Sequence, residues 1–201
     1  MNIINDLGVL LGGSWASGVN LYLTVAALGI ADRTGIIDLP GNLDIISNPI
    51  IIAVAVIMFL IEFFADKIPY IDSAWDSVHT VIRPLGAAYL VFNASAGSSP
   101  EVQLALTLLG GAVAMDSHLT KATARAAINT SPEPFTNILA SLSEDSLVLV
   151  VLWMAVTHPV ISAVLVLSFI VFSVWFLKIM FRFLKKIFTF LFHREDETRS
   201  S

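Results

Sequence analysis

Cysteine is absent from the 201 residues, and charge is scarce: Asp, Glu, Lys and Arg together make up 13%. Without a thiol there are no disulfides, iron–sulfur clusters or thiolate zinc sites, and the redox compartment goes unread. The shortage of charge excludes an ordinary water-soluble domain, which carries about 25% charged residues. The space is filled by apolar side chains, at 56% of the chain and a mean hydropathy of +0.82. At about 20 residues per spanning helix, this length accommodates five or six spans and no separate soluble domain. The first 30 residues also lack the basic stretch that opens a signal peptide, so their apolar run reads as a retained span.

The reading is an all-α, polytopic integral membrane helix bundle of about six spans, near residues 7–31, 49–68, 72–92, 100–129, 134–157 and 159–177. Turn chemistry separates them: DLPGN at 38–42, Pro69, SAGSSP at 95–100, SPEP at 131–134 and THP at 157–159. Proline suits a first helical turn, where its missing N–H costs nothing. The net charge of −5 hides an asymmetry, because six of the eleven basic residues lie between Lys178 and Arg199. Excess Lys and Arg mark the cytoplasmic side. Counting back through six spans then puts Lys67, Lys121 and Arg125 inside and both termini in the cytoplasm.

Residues 178–192 form a different segment. Lys178, Arg182 and Lys185 stand at i, i+4 and i+7 among Phe and Ile, with Lys186 beside them. That basic stripe on an aromatic helix reads as an amphipathic interfacial helix on anionic lipid headgroups. A plain extension of the sixth span with snorkelling lysines is the alternative. Residues 193–201 read as a polar, disordered tail. Nucleic acid is not an expected partner, since the basic cluster adjoins a span.

Leu11-Gly12-Gly13 and Leu109-Gly110-Gly111 open spans one and four, and Ala16 and Leu21 match Ala114 and Leu119 at the same offset. Two units of three spans must point in opposite senses, so the match suggests two inverted three-helix repeats, a plan common in transporters.

An ionisable group in a span costs roughly 2.5–3.5 kcal/mol at the helix centre unless it faces a bundle interior or a water path. This chain carries many, at helical spacing. Gly13, Ser17, Asn20 and Thr24 share a face of span one. Glu62 and Asp66 stand one turn apart. Asp72, Asp76, His79 and Arg83 make a stripe in span three, with Asp72 nearest the boundary. Asp116, His118, Lys121 and Arg125 lie in span four, and Asn137, Ser141, Glu144 and Asp145 in span five. Intramembrane and boundary acids number eight (with Glu133), against four bases including Lys67. An acidic lining favours protons or cations.

GVNLYLT at 18–24, EFFADKIPYIDSAWDSVHTVIRP at 62–84 and the run from Lys121 through SPEPFTNILASLSED at 131–145 resemble a family of small bacterial membrane proteins. It is catalogued as domain of unknown function 4126. The resemblance covers roughly residues 7–157 and excludes the basic helix from Lys178 onward. It implies a polytopic fold in a bacterial inner membrane and lends no activity.

Three functions compete. The first is a compact transporter or channel for a proton or cation, with a polar core of Asn20, Glu62, Asp66, Asp76, His79, Arg83, Asp116, His118, Lys121, Arg125, Asn137, Glu144 and Asp145. The second is a structural or partner-organising membrane protein whose stripes are helix–helix glue, with a homo-oligomer left open. The third, least favoured, is a haem or metal site on His79 and His118. No cofactor is expected. No GxSxG or HExxH motif supports catalysis.

Overall fold

The computed structural model describes residues 3–130 and 134–199, with side-chain surroundings from Leu7 to Lys186 apart from Pro69, Pro134 and Leu184. Seven α-helices account for nearly all of the described residues. They are α1 (Ile3–Val19), α2 (Leu21–Arg33), α3 (Pro49–Ala65), α4 (Pro69–Ala94), α5 (Pro100–Ile128), α6 (Pro134–Thr157) and α7 (Pro159–Arg199), with a 3-10 turn at Leu43–Ser47. Five of them open on proline. Asn48 and Ser99 cap α3 and α5 by accepting from the Ile50 and Val102 amides, replacing bonds that a first turn lacks.

Burial is inverted relative to a soluble protein. The largest fully buried side chains include Arg83, Arg125, His118 and Glu62, while Leu85 is 65% exposed and Trp153 62%. Apolar surface of this extent is tolerated only where the solvent is itself apolar. α5, α6 and the Pro159–Phe183 part of α7 are each long and apolar enough to cross a membrane, and Leu7–Val19 and α3 are shorter apolar helices. The chain is a helical membrane bundle.

The expected first span at 7–31 is two helices. At Asn20 the backbone becomes extended (φ −150°, ψ 97°), and the Asn20 side chain caps α2 by accepting from the Leu23 amide. The chain then turns back. Leu7 shares a cavity wall with Ser98, Ser99 and Val102, and Gly8 abuts Pro159. At the far end of α2, Gly29 abuts Ile46, and Val9 lies in a shared wall with Ile36 to Pro40. Both outer ends of the α1–α2 hairpin therefore sit at the end of the bundle that holds the 34–48, 95–99 and 158 connections, here called end B. End A holds the 66–68 connection and the 129–130 end of α5. Only the tip at Asn20 reaches mid-depth, so α1 and α2 are not one crossing.

Two expectations change with it. Among the described residues α1 starts at end B and α7 runs toward end A, whereas the six-span count expects both on one side. Leu11–Gly13 and Leu109–Gly111 lie on helices running the same way: Leu7 is near Val102, and further along Gly18 meets Ala114 and Ser117. That parallel course is not an inverted repeat. The shared glycines serve close packing instead, Gly12 against Ala155 and Ser162, and Gly110 against Val91 and Ser14.

α7 is unbroken across Leu177 and Lys178, so its backbone marks no boundary between span and interfacial segment. Helix continues through the segment expected to be a disordered tail, as far as Arg199, with Ser200 and Ser201 outside the described residues. Lys178, Arg182, Lys185 and Lys186 are exposed. Glu133 also lies outside the described residues.

Candidate functional site: a buried ionic network at the hairpin tip

α3, α4, α5 and α6 deliver their charged faces to one column, running from the hairpin tip toward end A. Arg83, on α4, stands at the tip. Its Nη2 donates to Glu62 Oε1 at 2.8 Å, and its Nη1 donates to the Gly18 carbonyl at 3.3 Å and to His118 Nδ1 at 2.8 Å. Asp76 Oδ1 lies 3.2 Å from the same Nη1. Lys121, one turn beyond His118 on α5, donates to the Val19 carbonyl at 3.2 Å and to Asp66 Oδ2 at 3.1 Å. Glu62 and Glu144 stand 3.6 and 3.7 Å from its ammonium.

Nearer end A, Arg125 forms a fork with Glu144: Nε to Oε1 at 3.1 Å and Nη2 to Oε2 at 2.8 Å. Parallel bonds of this kind are among the strongest charge-assisted contacts. Its Nη1 donates to the Asn137 carbonyl and to Asn137 Oδ1. Asn137 in turn donates to Asn129 Oδ1, and Asn129 donates to Asp72 Oδ2 at 2.9 Å.

The break at Asn20 places backbone in this column. Ending α1 leaves its last carbonyls without intrahelical donors, and a helix C-terminus carries partial negative charge. Arg83 and Lys121 meet both needs at Gly18 and Val19. Ser117 Oγ donates to the Trp15 carbonyl. Asn20 Nδ2 donates to Asp145 Oδ1 at 3.0 Å, tying the tip to α6. The close approach requires Gly18, where any Cβ would overlap the Ala114 carbonyl and Ser117 Oγ.

The histidines have defined roles. Arg83 can only donate, so His118 Nδ1 accepts and Nε2 carries the proton, which it donates to Thr80 Oγ1 at 3.0 Å. Thr80 passes its own proton to the Asp76 carbonyl. His79 Nδ1 lies 2.8 Å from the Trp75 carbonyl and must donate there, leaving Nε2 to accept from Tyr22 of α2 at 2.9 Å. Trp75 stacks on the His79 ring at 4.5 Å. All four ring nitrogens are engaged, so a haem or metal on either ring would have to break these bonds. Among the described residues no group of three or more His, Asp or Glu side chains is arranged to hold a metal ion.

Of the thirteen residues nominated for a polar core, eleven are tied into this assembly, and His79 stands beside it with its bonds to Tyr22 and Trp75. Asp116 does not join: it points to α7, where Ser173 Oγ donates to both its carboxylate oxygens at 2.7 and 2.8 Å. The nominated core left out Asp72, which the sequence reading named only as the boundary end of its stripe, and the sequence reading missed Tyr22, Trp75, Thr80, Ser117 and Asn129. Asp72 was legible as the next step of the Asp76–His79–Arg83 stripe.

Three cations meet six carboxylates. The surplus is three negative charges shared over the column: Arg83 serves both Glu62 and Asp76, Arg125 serves Glu144 with Asp66 and Asp72 at 3.4 and 4.0 Å, and Asp145 is held by Asn20. Buried carboxylate oxygens with no hydrogen-bond partner are Glu62 Oε2, Asp66 Oδ1, Asp72 Oδ1, both oxygens of Asp76, and Asp145 Oδ2.

An apolar exterior around an ionic core, with a helix broken at mid-depth, defines a polytopic helical membrane protein built around a buried acidic network. Within that class, the chain belongs to the family described as Domain of unknown function (DUF4126), whose model matches residues 7–179. No curated protein and no solved structure matches it.

Proposed function

We propose that the protein is a compact, transporter-like conductor of protons or small cations across a bacterial inner membrane. The observation that carries this reading is the surplus of three negative charges in a buried column that starts at the tip of a broken helix. Carboxylates out of water that outnumber their counter-ions cost several kcal/mol each, so bound protons or cations would neutralise the surplus, and exchange of those charges is the activity proposed for the site. Broken helices with exposed carbonyls at mid-depth are also how transporters form ion sites. Lys67 and the basic part of α7 belong to end A, whereas Arg33 at end B stands among Asp32, Asp38 and Asp44. The positive-inside rule then favours a cytoplasmic end A. In this reading five helices cross, the hairpin enters from outside, and Lys178, Arg182, Lys185 and Lys186 rest on anionic headgroups.

Protein reconstituted in liposomes under imposed proton, sodium and potassium gradients tests it. Flux is expected for at least one ion, reduced about tenfold or more by Asp76→Asn or Asp145→Asn, which remove an exchangeable charge, and unchanged by Asp116→Asn. Absence of flux under every gradient, with the protein folded, would leave the network a structural clamp and favour the partner-organising role.

A further inference from the structure

A small, largely apolar cavity holding buried hydroxyls lies on the other side of the hairpin tip. The arms α1 and α2 enclose a cavity of about 30 Å³ with α4 and the 39–46 segment, walled by Gly13, Ser14, Ser17, Thr24, Leu43 and Ala87 among others. Space of this size holds one or two waters. Its wall runs from Leu39 and Ala94 on the end B side to Ser17 and Thr24, which flank Asn20. Ala87 is one turn from Arg83.

Serine and threonine in an apolar helix normally donate to the carbonyl four residues back. Ser77, Thr80, Ser95, Thr107, Thr120, Ser143, Ser146 and Thr157 all do so here. Ser141 and Ser162 do not, and neither do two residues on the cavity wall, Ser14 and Ser17. These last two are 2% and 0% exposed, and neither hydroxyl has a hydrogen-bond partner. A buried hydroxyl left unpaired is costly, and both residues line this cavity, from which a water could reach them. A Cβ on Gly13 would meet nothing within 4 Å, so that face of α1 is open as well.

We infer that this cleft is a hydrated half-path, in which water held by Ser14 and Ser17 links end B to the hairpin tip. The ionic network would then be reached from both ends of the bundle, through water on one side and through Asp72 and Asn129 on the other. The inference rests on the transporter-like reading and extends it by naming the route and its occupant.

The cysteine-free chain permits a direct test with silver ion, a thiophile close to water in size. Single variants Ser17→Cys and Ala16→Cys place a thiol on the cavity wall and at a buried neighbouring position of the same helix. Ser98→Cys and Thr130→Cys report end B and end A. Expected is silver capture at Ser17→Cys about tenfold faster than at Ala16→Cys, as for a solvated against a dry site. Capture should come from the side that labels Ser98→Cys, and Gly13→Leu should slow it, with Gly13→Val as the smaller plug. Equal rates at 16 and 17, access only from the Thr130→Cys side, or indifference to both plugs each overturns the half-path. Silver access is read without any flux assay. Rapid capture with no ion flux therefore sinks the transporter reading alone, and flux without capture sinks the half-path alone.

Discussion

The two halves of the bundle are held together in different ways. Toward end A, helices are joined by charge: Arg83, Lys121 and Arg125 reach across to α3, α6 and the tip of α1. Toward end B, they are joined by absence of side chain, with Gly8 against Pro159, Gly12 against Ala155 and Gly110 against Val91. Small residues allow close backbone contact where lipid offers no hydrophobic drive. Ionic contacts are directional and fail if one partner leaves, whereas glycine contacts fail if anything is added. The hairpin belongs to both regimes, packed by glycine along α1 and bound by cations at its tip.

The sharpest way to break this contrast is Arg83→Leu. It removes the guanidinium that Glu62 and Asp76 share, leaving Glu62 only the Lys121 ammonium at 3.6 Å, and removing one partner of a buried pair costs about 3–5 kcal/mol. Thermal unfolding in detergent should show the loss, and the double variant Glu62→Gln with Arg83→Leu should recover part of it. A stable single variant would mean that the pair is not a structural tie. Next comes glycine against glycine on one helix. Gly18→Ala forces the tip away from α5, and such overpacking costs about 1–3 kcal/mol. Gly13→Ala meets open space and should gain about 0.4–1 kcal/mol by restricting the unfolded chain. Equal effects at both positions would erase the distinction between packed and open faces of α1. The smallest change is Asn20→Ala, which removes the cap of α2 for about 0.5–2 kcal/mol. Asn20→Asp keeps the cap but sets a carboxylate against Asp145, so stability that tracks the cap and flux that tracks the Asp145 contact separate the two roles.

Helical periodicity made most of the network legible. Residues three, four and seven apart share a face, and Asp76, His79 and Arg83, Lys121 and Arg125, and Glu62 and Asp66 converge for that reason. The same rule argued against Asp116. It is two positions from His118, about 200° around the helix at 3.6 residues per turn, and it meets Ser173 on α7. The hairpin was hidden because Gly13, Ser17, Asn20 and Thr24 keep helical spacing straight through the break. A run of 25 apolar and small residues is also the length of one span. Asn20 as a capping residue inside an apolar run was the available signal. The direction of the Leu-Gly-Gly pair could not be read, since a three-residue match carries no sense of which way its helix runs. The unbroken course of α7 past Lys178 was equally silent, because a basic stripe suits an interfacial helix and an extended span alike.

The tip of the hairpin has a consequence for biosynthesis. The hairpin is synthesised before the side chains that bind its tip: Gly18, Val19 and Asn20 are held by Arg83, Lys121 and Asp145 of α4, α5 and α6. Its tip contacts are therefore complete only once α6 has been made, and α7 packs on α1 later still. A chain truncated before residue 145 lacks the bond from Asn20 to α6.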